Sequence, residues 1–373
     1  MAYDSVVIGG GVMGSAVALR LSRAGQKVLV LERSIPGAEA SSAAAGILGP
    51  QIEGEGDDPL FRLCLASRDA YPAFVEEVEA LSGKRVGYHQ SGLLRATIAG
   101  DDAGPLAHRL GWQREMGLAV EALDGAGARK LEPSLSPEIA AALYFPNEAR
   151  IDPQLLASAL PKAAQAAGAT FRSALVQRVV VENGRAAGVE VEGERIPAGA
   201  VVVAAGAWTS HVAGCGLPDD AVAPVRGQMA ALRLPGLELS RVIFATRGYL
   251  VPRGDGLVLV GSTMEQVGYE KKVTAAGLTR ILTNAVSVVP ALADAELVAT
   301  WSGLRPCPKD GLPLIGSGAA AGLFLASGHH RNGILLTPET ARLLSEAVLE
   351  GRDPETLAPF SPLRFGNRVS AAS

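Results

Sequence analysis

Apolar positions in the first thirty residues fall into two short runs separated by a glycine-rich turn and a stretch of helical period. Ser5-Val6-Val7-Ile8 is followed by Gly9-Gly10-Gly11-Val12-Met13-Gly14, then by a helix-like segment over 15–23 closed by Gly25. The next apolar run, 27–31, ends at Glu32. Strand, turn, helix, strand predicts a βαβ unit on a parallel sheet, and near-continuous apolar strands suit a sheet covered on both faces. From residue 59 to about 116 the pattern is helical around an expected strand at 92–96, and no second glycine-rich phosphate turn occurs, so an inserted second domain is expected. Residues 174–205 are rich in strand pattern, with Asn183-Gly184 reading as a tight hairpin turn. They run into 201–208, which reads as another buried strand of the first sheet. Runs at 225–232, 249–252 and 257–260 predict a larger antiparallel sheet, and 322–326 one more buried strand leading into a helix over 334–349. The tail after Asp353 reads as a loose surface segment.

Length and charge narrow this picture. The 373 residues correspond to two domains, or one large discontinuous one, at roughly 150 residues per domain. With 48% hydrophobic and 19% charged residues and a net charge of −4, neither disorder nor collagen-like repetition fits. No block of Lys or Arg provides a footprint for nucleic acid or an anionic membrane. No apolar run approaches the roughly 20 residues that span a bilayer, and glycines break the run after Asp4, so no secretory signal is expected. Cys64, Cys215 and Cys307 are odd in number, far apart and outside any CxxC spacing. That argues for reduced thiols in a cytoplasmic protein and against a metal site.

Gly9-x-Gly11-x-x-Gly14, after a strand and before a helix, lets backbone approach a pyrophosphate at the positive end of the helix. Glu32, 18 residues beyond Gly14, is placed to accept hydrogen bonds from a ribose diol. An adenine dinucleotide is expected, but FAD and NAD present the same ADP moiety to such a motif. Ser41-Ser42-Ala43-Ala44-Ala45-Gly46-Ile47-Leu48-Gly49 is too small and glycine-rich for ordinary core and suits backbone lying against a flat ring or a phosphate. No GxSxG, HExxH or Walker-type lysine motif occurs.

Those segments, together with Glu32-Arg33, 203–208, Tyr249-Leu250-Val251-Pro252-Arg253, Gly303-Leu304-Arg305-Pro306, Lys309-Asp310-Gly311 and Gly328-His329-His330-Arg331-Asn332-Gly333-Ile334-Leu335-Leu336, resemble the D-amino-acid-oxidase-like FAD-dependent oxidoreductases. Within that family the sequence is most similar to the glycine oxidase branch of thiamine biosynthesis. The resemblance implies an α/β plus α+β fold: a Rossmann-like FAD-binding domain (1–58, 152–218 and 303–366), a discontinuous antiparallel-sheet substrate domain (59–151 and 219–302), and a loose tail at 367–373. It implies non-covalent FAD near Gly9, Gly11, Val12, Met13, Gly14, Glu32, Arg33, Ser41, Ser42, Ala45, Gly46, Ile47 and Val176. The stretch His329, His330, Arg331, Asn332, Gly333, Ile334 and Leu335 would approach the flavin ring. His329 and His330 have no third ligand at suitable spacing and are expected to pack beside the cofactor rather than hold a metal.

With the resemblance in hand, Arg305, just after a strand-like segment, is the candidate for holding a substrate carboxylate through two parallel hydrogen bonds. Tyr249 would share that carboxylate or cover the pocket, Arg331 would close the site near the amine, and Met264 would line the wall. Arg247 replaces a histidine frequent in the branch, and Cys307 sits too close to Asp310 to match the cysteine that carries flavin in some sarcosine oxidases. The implied activity is oxidative deamination of glycine, sarcosine or D-alanine, with oxygen as second substrate, to glyoxylate or the imine, ammonia and hydrogen peroxide, supplying thiazole synthesis. An NAD-dependent dehydrogenase, a D-amino-acid dehydrogenase, a sarcosine-oxidase-like enzyme and a non-catalytic flavin binder are the competing readings. Self-association is left open.

Overall fold

A computed structural model of the chain describes residues 3–366, and the tail expected at 367–373 lies outside the described residues. Strand β1 (Tyr3–Ile8) leads through the glycine turn into helix α1 (Val12–Arg23) and strand β2 (Val28–Glu32). Alternate residues of β1 bury on opposite faces: Val7 joins one core cluster and Val6 and Ile8 another, as a doubly covered parallel sheet requires. Strand Glu194–Val203 pairs in parallel with β1, placing Val202 opposite Val7, and strand Leu323–Ser327 adds to its other edge, also in parallel. Thr170–Ser173 extends the sheet beyond β2 and Leu314–Ser317 closes the opposite side antiparallel. The Asn183-Gly184 turn joins Val176–Glu182 to Arg185–Val191, with φ of 50° and 74° at its two residues. That is the two-residue hairpin turn expected of Asn-Gly.

The second sheet has eight strands in the spatial order Glu296–Pro308, Val222–Arg233, Leu257–Gly261, Gly248–Gly254, Val242–Ala245, Leu93–Ile98, Ile139–Phe145 and Glu121–Asp124. Every neighbour is antiparallel except Val242–Ala245 against Leu93–Ile98. Helix Ala275–Val288, capped by Thr274 through the N–H of Gly277, covers one face with Ile281, Ala285 and Val288.

Two expectations are corrected by packing. Helix Pro59–Ser82, placed by its position in the chain with the substrate domain, buries Leu63, Tyr71, Phe74 and Val78 in the cluster shared with α1 and with helices Pro153–Ala166 and Gly333–Glu350. It belongs to the layer covering the first sheet. The segment after Asp353 is not loose: Leu357 and Phe360 are fully buried, each burial contributing about 1.5–3 kcal/mol, and Asp353 accepts hydrogen bonds from the backbone N–H and hydroxyl of Ser317.

Candidate active site

A cavity of about 820 Å³ opens between the two sheets, and its floor is the turn after β1. Gly9 has φ +104°, and a Cβ there would stand 2.5 Å from the Ala204 carbonyl oxygen; a Cβ on Gly14 would strike the Gly9 carbonyl. Only glycine lets the strand, the turn and the helix close this tightly. The N-terminus of α1 faces the cavity through Gly11, Val12 and Met13, and the Val12 N–H donates to Ser41 Oγ at 3.1 Å. At the end of β2 the Glu32 carboxylate accepts from the N–H groups of Gly10 (2.8 Å) and Ser34 (3.0 Å). Beside it the Arg33 guanidinium lies 3.9 Å from the centre of the Trp208 ring. A cradle without room for Cβ atoms, the positive end of a helix and an acid at the second strand's end fit a dinucleotide's phosphates and ribose.

Arg33, Ala45, Gly46, Ile47 and Val176 also line the cavity. Of the residues expected at the cofactor, Gly14 and Ser42 do not. Gly14 packs beneath Gly9, and the Ser42 hydroxyl donates to the Glu39 carbonyl at 3.3 Å. The loop over 43–46 is gripped from the second sheet. Trp301 Nε1 donates to the Ala43 carbonyl (3.1 Å) and Arg253 Nη2 to the Ala45 carbonyl (2.6 Å), while Gly303 leaves room for the Ala43 methyl group.

All seven residues from His329 to Leu335 line the cavity. The helix Gly333–Glu350 begins there, and its first turn is fixed by Ser67 and Tyr71, whose hydroxyls donate to the carbonyls of Leu335 (2.7 Å) and Ile334 (2.6 Å). A helix N-terminus aimed at the cavity favours negative charge in front of it. A ring nitrogen of buried His329 lies 3.1 Å from Thr340 Oγ1, and burial pushes its imidazole down to about 3, leaving it neutral. His330 takes a positive φ of 47°, and its N–H donates to the Pro306 carbonyl at 2.9 Å. Its Nε2 is buried without a protein partner. Burial, then the nearby Arg305 and Arg331, push its imidazole down to about 4.

Tyr249, Arg305, Arg331 and Met264 meet in the same cavity. Arg305 lies within the strand Glu296–Pro308 rather than after it. Its Nη2 donates to Ser262 Oγ (2.7 Å) and its Nη1 to the Thr263 carbonyl (3.2 Å). Among the described residues no carboxylate lies within 4.0 Å of it. Gly227 on the adjoining strand leaves space for the guanidinium, since a Cβ there would collide with its nitrogens. The Tyr249 hydroxyl donates to Met229 Sδ at 3.2 Å. Arg331 is paired with Glu53 at 3.1 Å, and the exposed Arg247 also lines the opening. Cys307 is absent from the lining, and burial raises its thiol above the usual range.

Sequence reasoning passed over Arg95, Arg109, Glu53, Glu55 and Phe244, which also line the cavity, with Phe244 paired across from Tyr249 on the adjoining strand and Arg95 beyond it. They stand at ordinary strand and helix positions or in a loop, with no motif to single them out. Among the described residues no group of His, Cys, Asp or Glu could hold a metal ion, and no helix is long and apolar enough to cross a membrane. Chemically, the cavity joins a dinucleotide cradle to an unpaired guanidinium, a phenol and a neutral imidazole.

Residues 4–347 match the family described as FAD dependent oxidoreductase (DAO). A glycine oxidase of Geobacillus kaustophilus (strain HTA426) is 36% identical over 371 residues, which cover 98% of each chain. The crystal structure of glycine oxidase from Geobacillus kaustophilus matches with a TM-score of 0.92 over 97% of this chain and 99% of that one. The bifunctional protein ThiO/ThiG of Synechocystis sp. (strain ATCC 27184 / PCC 6803 / Kazusa) is 36% identical over 370 residues, 97% of this chain and 54% of that protein.

Proposed function

Because the chain belongs to the FAD dependent oxidoreductase family, we propose that it is an oxidase of glycine and of other small amines such as sarcosine and D-alanine. The observation that carries the reading is Arg305, a guanidinium in the cavity with no carboxylate within 4.0 Å among the described residues. A cation left unpaired in a partly desolvated site is costly unless a ligand completes it. The carboxylate of a small amino acid supplies that partner in bidentate geometry.

FAD, when bound, supplies the two-electron acceptor that oxygen regenerates with release of hydrogen peroxide. The protein's share is orientation. Ser262 and the Thr263 carbonyl hold the Arg305 fork, so a bound carboxylate is fixed in direction as well as position. Tyr249 covers the site from the strand Gly248–Gly254, three places across the sheet from that of Arg305, and Arg331, held by Glu53, closes it at the amine end. His330 stays neutral at physiological pH and so adds no positive charge that would discourage an approaching ammonium. Loss of two electrons and two protons from the C–N unit turns glycine into its imine, which water hydrolyses to glyoxylate and ammonia. Fixing the reacting carbon against its acceptor is the main contribution asked of the chain.

We assign the cradle around Gly9, Gly11, Val12, Met13, Glu32 and Arg33, with Ser41, the loop 45–47 and Val176, to non-covalent FAD, and the segment 329–335 to its ring. Transfer of the imine to thiamine thiazole synthesis is supported by the ThiO/ThiG relative, of which the chain spans about half. The reading is tested by stoichiometry: glycine should consume one oxygen and release one glyoxylate, one ammonia and one hydrogen peroxide. Oxygen uptake without glyoxylate would refute it.

A further inference from the structure

Beyond Tyr249 and Phe244 on the sheet that carries Arg305, the cavity lining holds two more guanidinium groups that the reading above leaves unused. Arg95 lies on the strand Leu93–Ile98 and Arg109 on the helix Gly104–Glu115, and both line the cavity. Arg109 is only 5% exposed. Arg95 Nη1 donates to the Ile52 carbonyl at 2.6 Å, and Arg109 Nη1 to the Gln51 carbonyl at 3.1 Å. Among the described residues no carboxylate stands within 4.0 Å of either guanidinium. Glu53, one of the two acidic residues in the field of both, is already committed to Arg331 at 3.1 Å, and the other, Glu55, is exposed.

A neutral donor would suffice to hold a backbone carbonyl, so these two charges exceed what the local hydrogen bonds require. Burial lowers the pKa of both groups, that of Arg109 to about 10, which leaves them cationic near neutral pH. Two like charges that share a desolvated wall repel each other, and an anion placed between them relieves that repulsion. The wall adjoins the substrate end rather than the phosphate cradle. The Arg95 guanidinium sits 5.6 Å from the Phe244 ring centre, and Phe244 in turn 5.6 Å from that of Tyr249. The cradle is built instead from the first sheet and α1.

We propose that Arg95 and Arg109 form a second anion subsite, which takes a second carboxylate of an amino-acid substrate whose first carboxylate is held by Arg305. The inference rests on the reading of Arg305 given above. The substrate class is a small amino acid with an additional carboxylate, carried either on the amine nitrogen, as in iminodiacetate, or on Cα, as in D-aspartate.

The test uses the FAD-loaded protein and two ligands that cannot be oxidised at nitrogen, thiodiacetate with two carboxylates and methylthioacetate with one, titrated against the flavin absorbance. Thiodiacetate should bind about tenfold or more tightly than methylthioacetate, as expected when a second charge pair forms in a desolvated site. In Arg95→Gln, which retains a donor for the Ile52 carbonyl, and in Arg109→Gln, that ratio should fall towards one. Should Arg109→Gln lose its flavin, Arg95→Gln decides alone. Equal affinities in the unmodified protein, or a ratio unchanged in Arg95→Gln, would overturn the subsite. Turnover distinguishes the sources: iminodiacetate preferred over sarcosine places the second carboxylate on nitrogen, D-aspartate preferred over D-alanine places it on Cα, and the absence of both preferences would overturn the proposal. Failure of the Arg305 reading is separately visible, because Arg305→Ala would then leave methylthioacetate binding unchanged.

Discussion

Replacing Arg305 with alanine removes the guanidinium that we propose holds the substrate carboxylate. In the protein its guanidinium makes two hydrogen bonds, to Ser262 Oγ and the Thr263 carbonyl. Their loss costs about 0.5–1.5 kcal/mol each in stability, well within the margin of a folded protein. Arg305→Ala should therefore fold and retain its flavin spectrum. The effect on substrate is larger, because the variant leaves a charged carboxylate without its partner in a half-buried site, at a cost of about 2–5 kcal/mol. That corresponds to a fall of about 30-fold to several-thousand-fold in kcat/KM for glycine. Arg305→Lys should recover only part, since an ammonium lacks the planar fork. Glycine ethyl ester is the control: it has no carboxylate to pair, so its poorer turnover should decline much less in the same variant. Equal proportional losses on glycine and on the ester would remove Arg305 from the carboxylate role and leave Arg247 or Arg331 as the next candidate.

Acid precipitation should leave FAD in a yellow supernatant, because Cys307 does not line the cavity; a yellow pellet would show a covalent link. Gly14→Val should yield protein with little or no bound flavin, because a Cβ there strikes the Gly9 carbonyl and displaces the cradle; normal flavin content in the purified variant would contradict this. His329, lowered by burial from 6.5 to about 3, binds fewer protons folded than unfolded. The stability it permits is complete above pH 6.5 and is lost as pH falls, at about 1.36 kcal/mol per unit. His329→Leu should flatten the decline in Tm between pH 7 and pH 5, and an unchanged slope would exclude His329 as its source.

Much of the fold was legible because local signals and burial agree in the first sheet. Val6, Val7, Val30 and Val202 are apolar on both faces, and the glycine turn has a single structural use. Helices Pro153–Ala166 and Ala275–Val288 begin after Asp152 and Thr274, whose side chains accept from first-turn N–H groups, and each buries one apolar face. The helix Pro59–Ser82 and the segment after Asp353 were misplaced because they pack on elements far from them in sequence: Ser67 and Tyr71 meet Leu335 and Ile334, and Phe360 enters a core cluster shared with α1 and the helix Pro59–Ser82. Residues embedded in motifs, Arg305 and Arg331 among them, could be singled out in the sequence and line the cavity. Arg95 and Arg109 could not be singled out, because what sets them apart in the cavity lining is the lack of a counter-charge, a property of three-dimensional surroundings.

Anaerobic mixing of the purified protein with glycine, sarcosine and D-alanine, followed by the flavin absorbance near its visible maximum, reads substrate oxidation at the flavin itself. A small-amine oxidase should bleach rapidly with these small amines and much more slowly with D-phenylalanine, and should recover its colour with stoichiometric hydrogen peroxide when oxygen is readmitted. Bleaching by D-phenylalanine in preference to glycine, or no bleaching by any small amine, would contradict it.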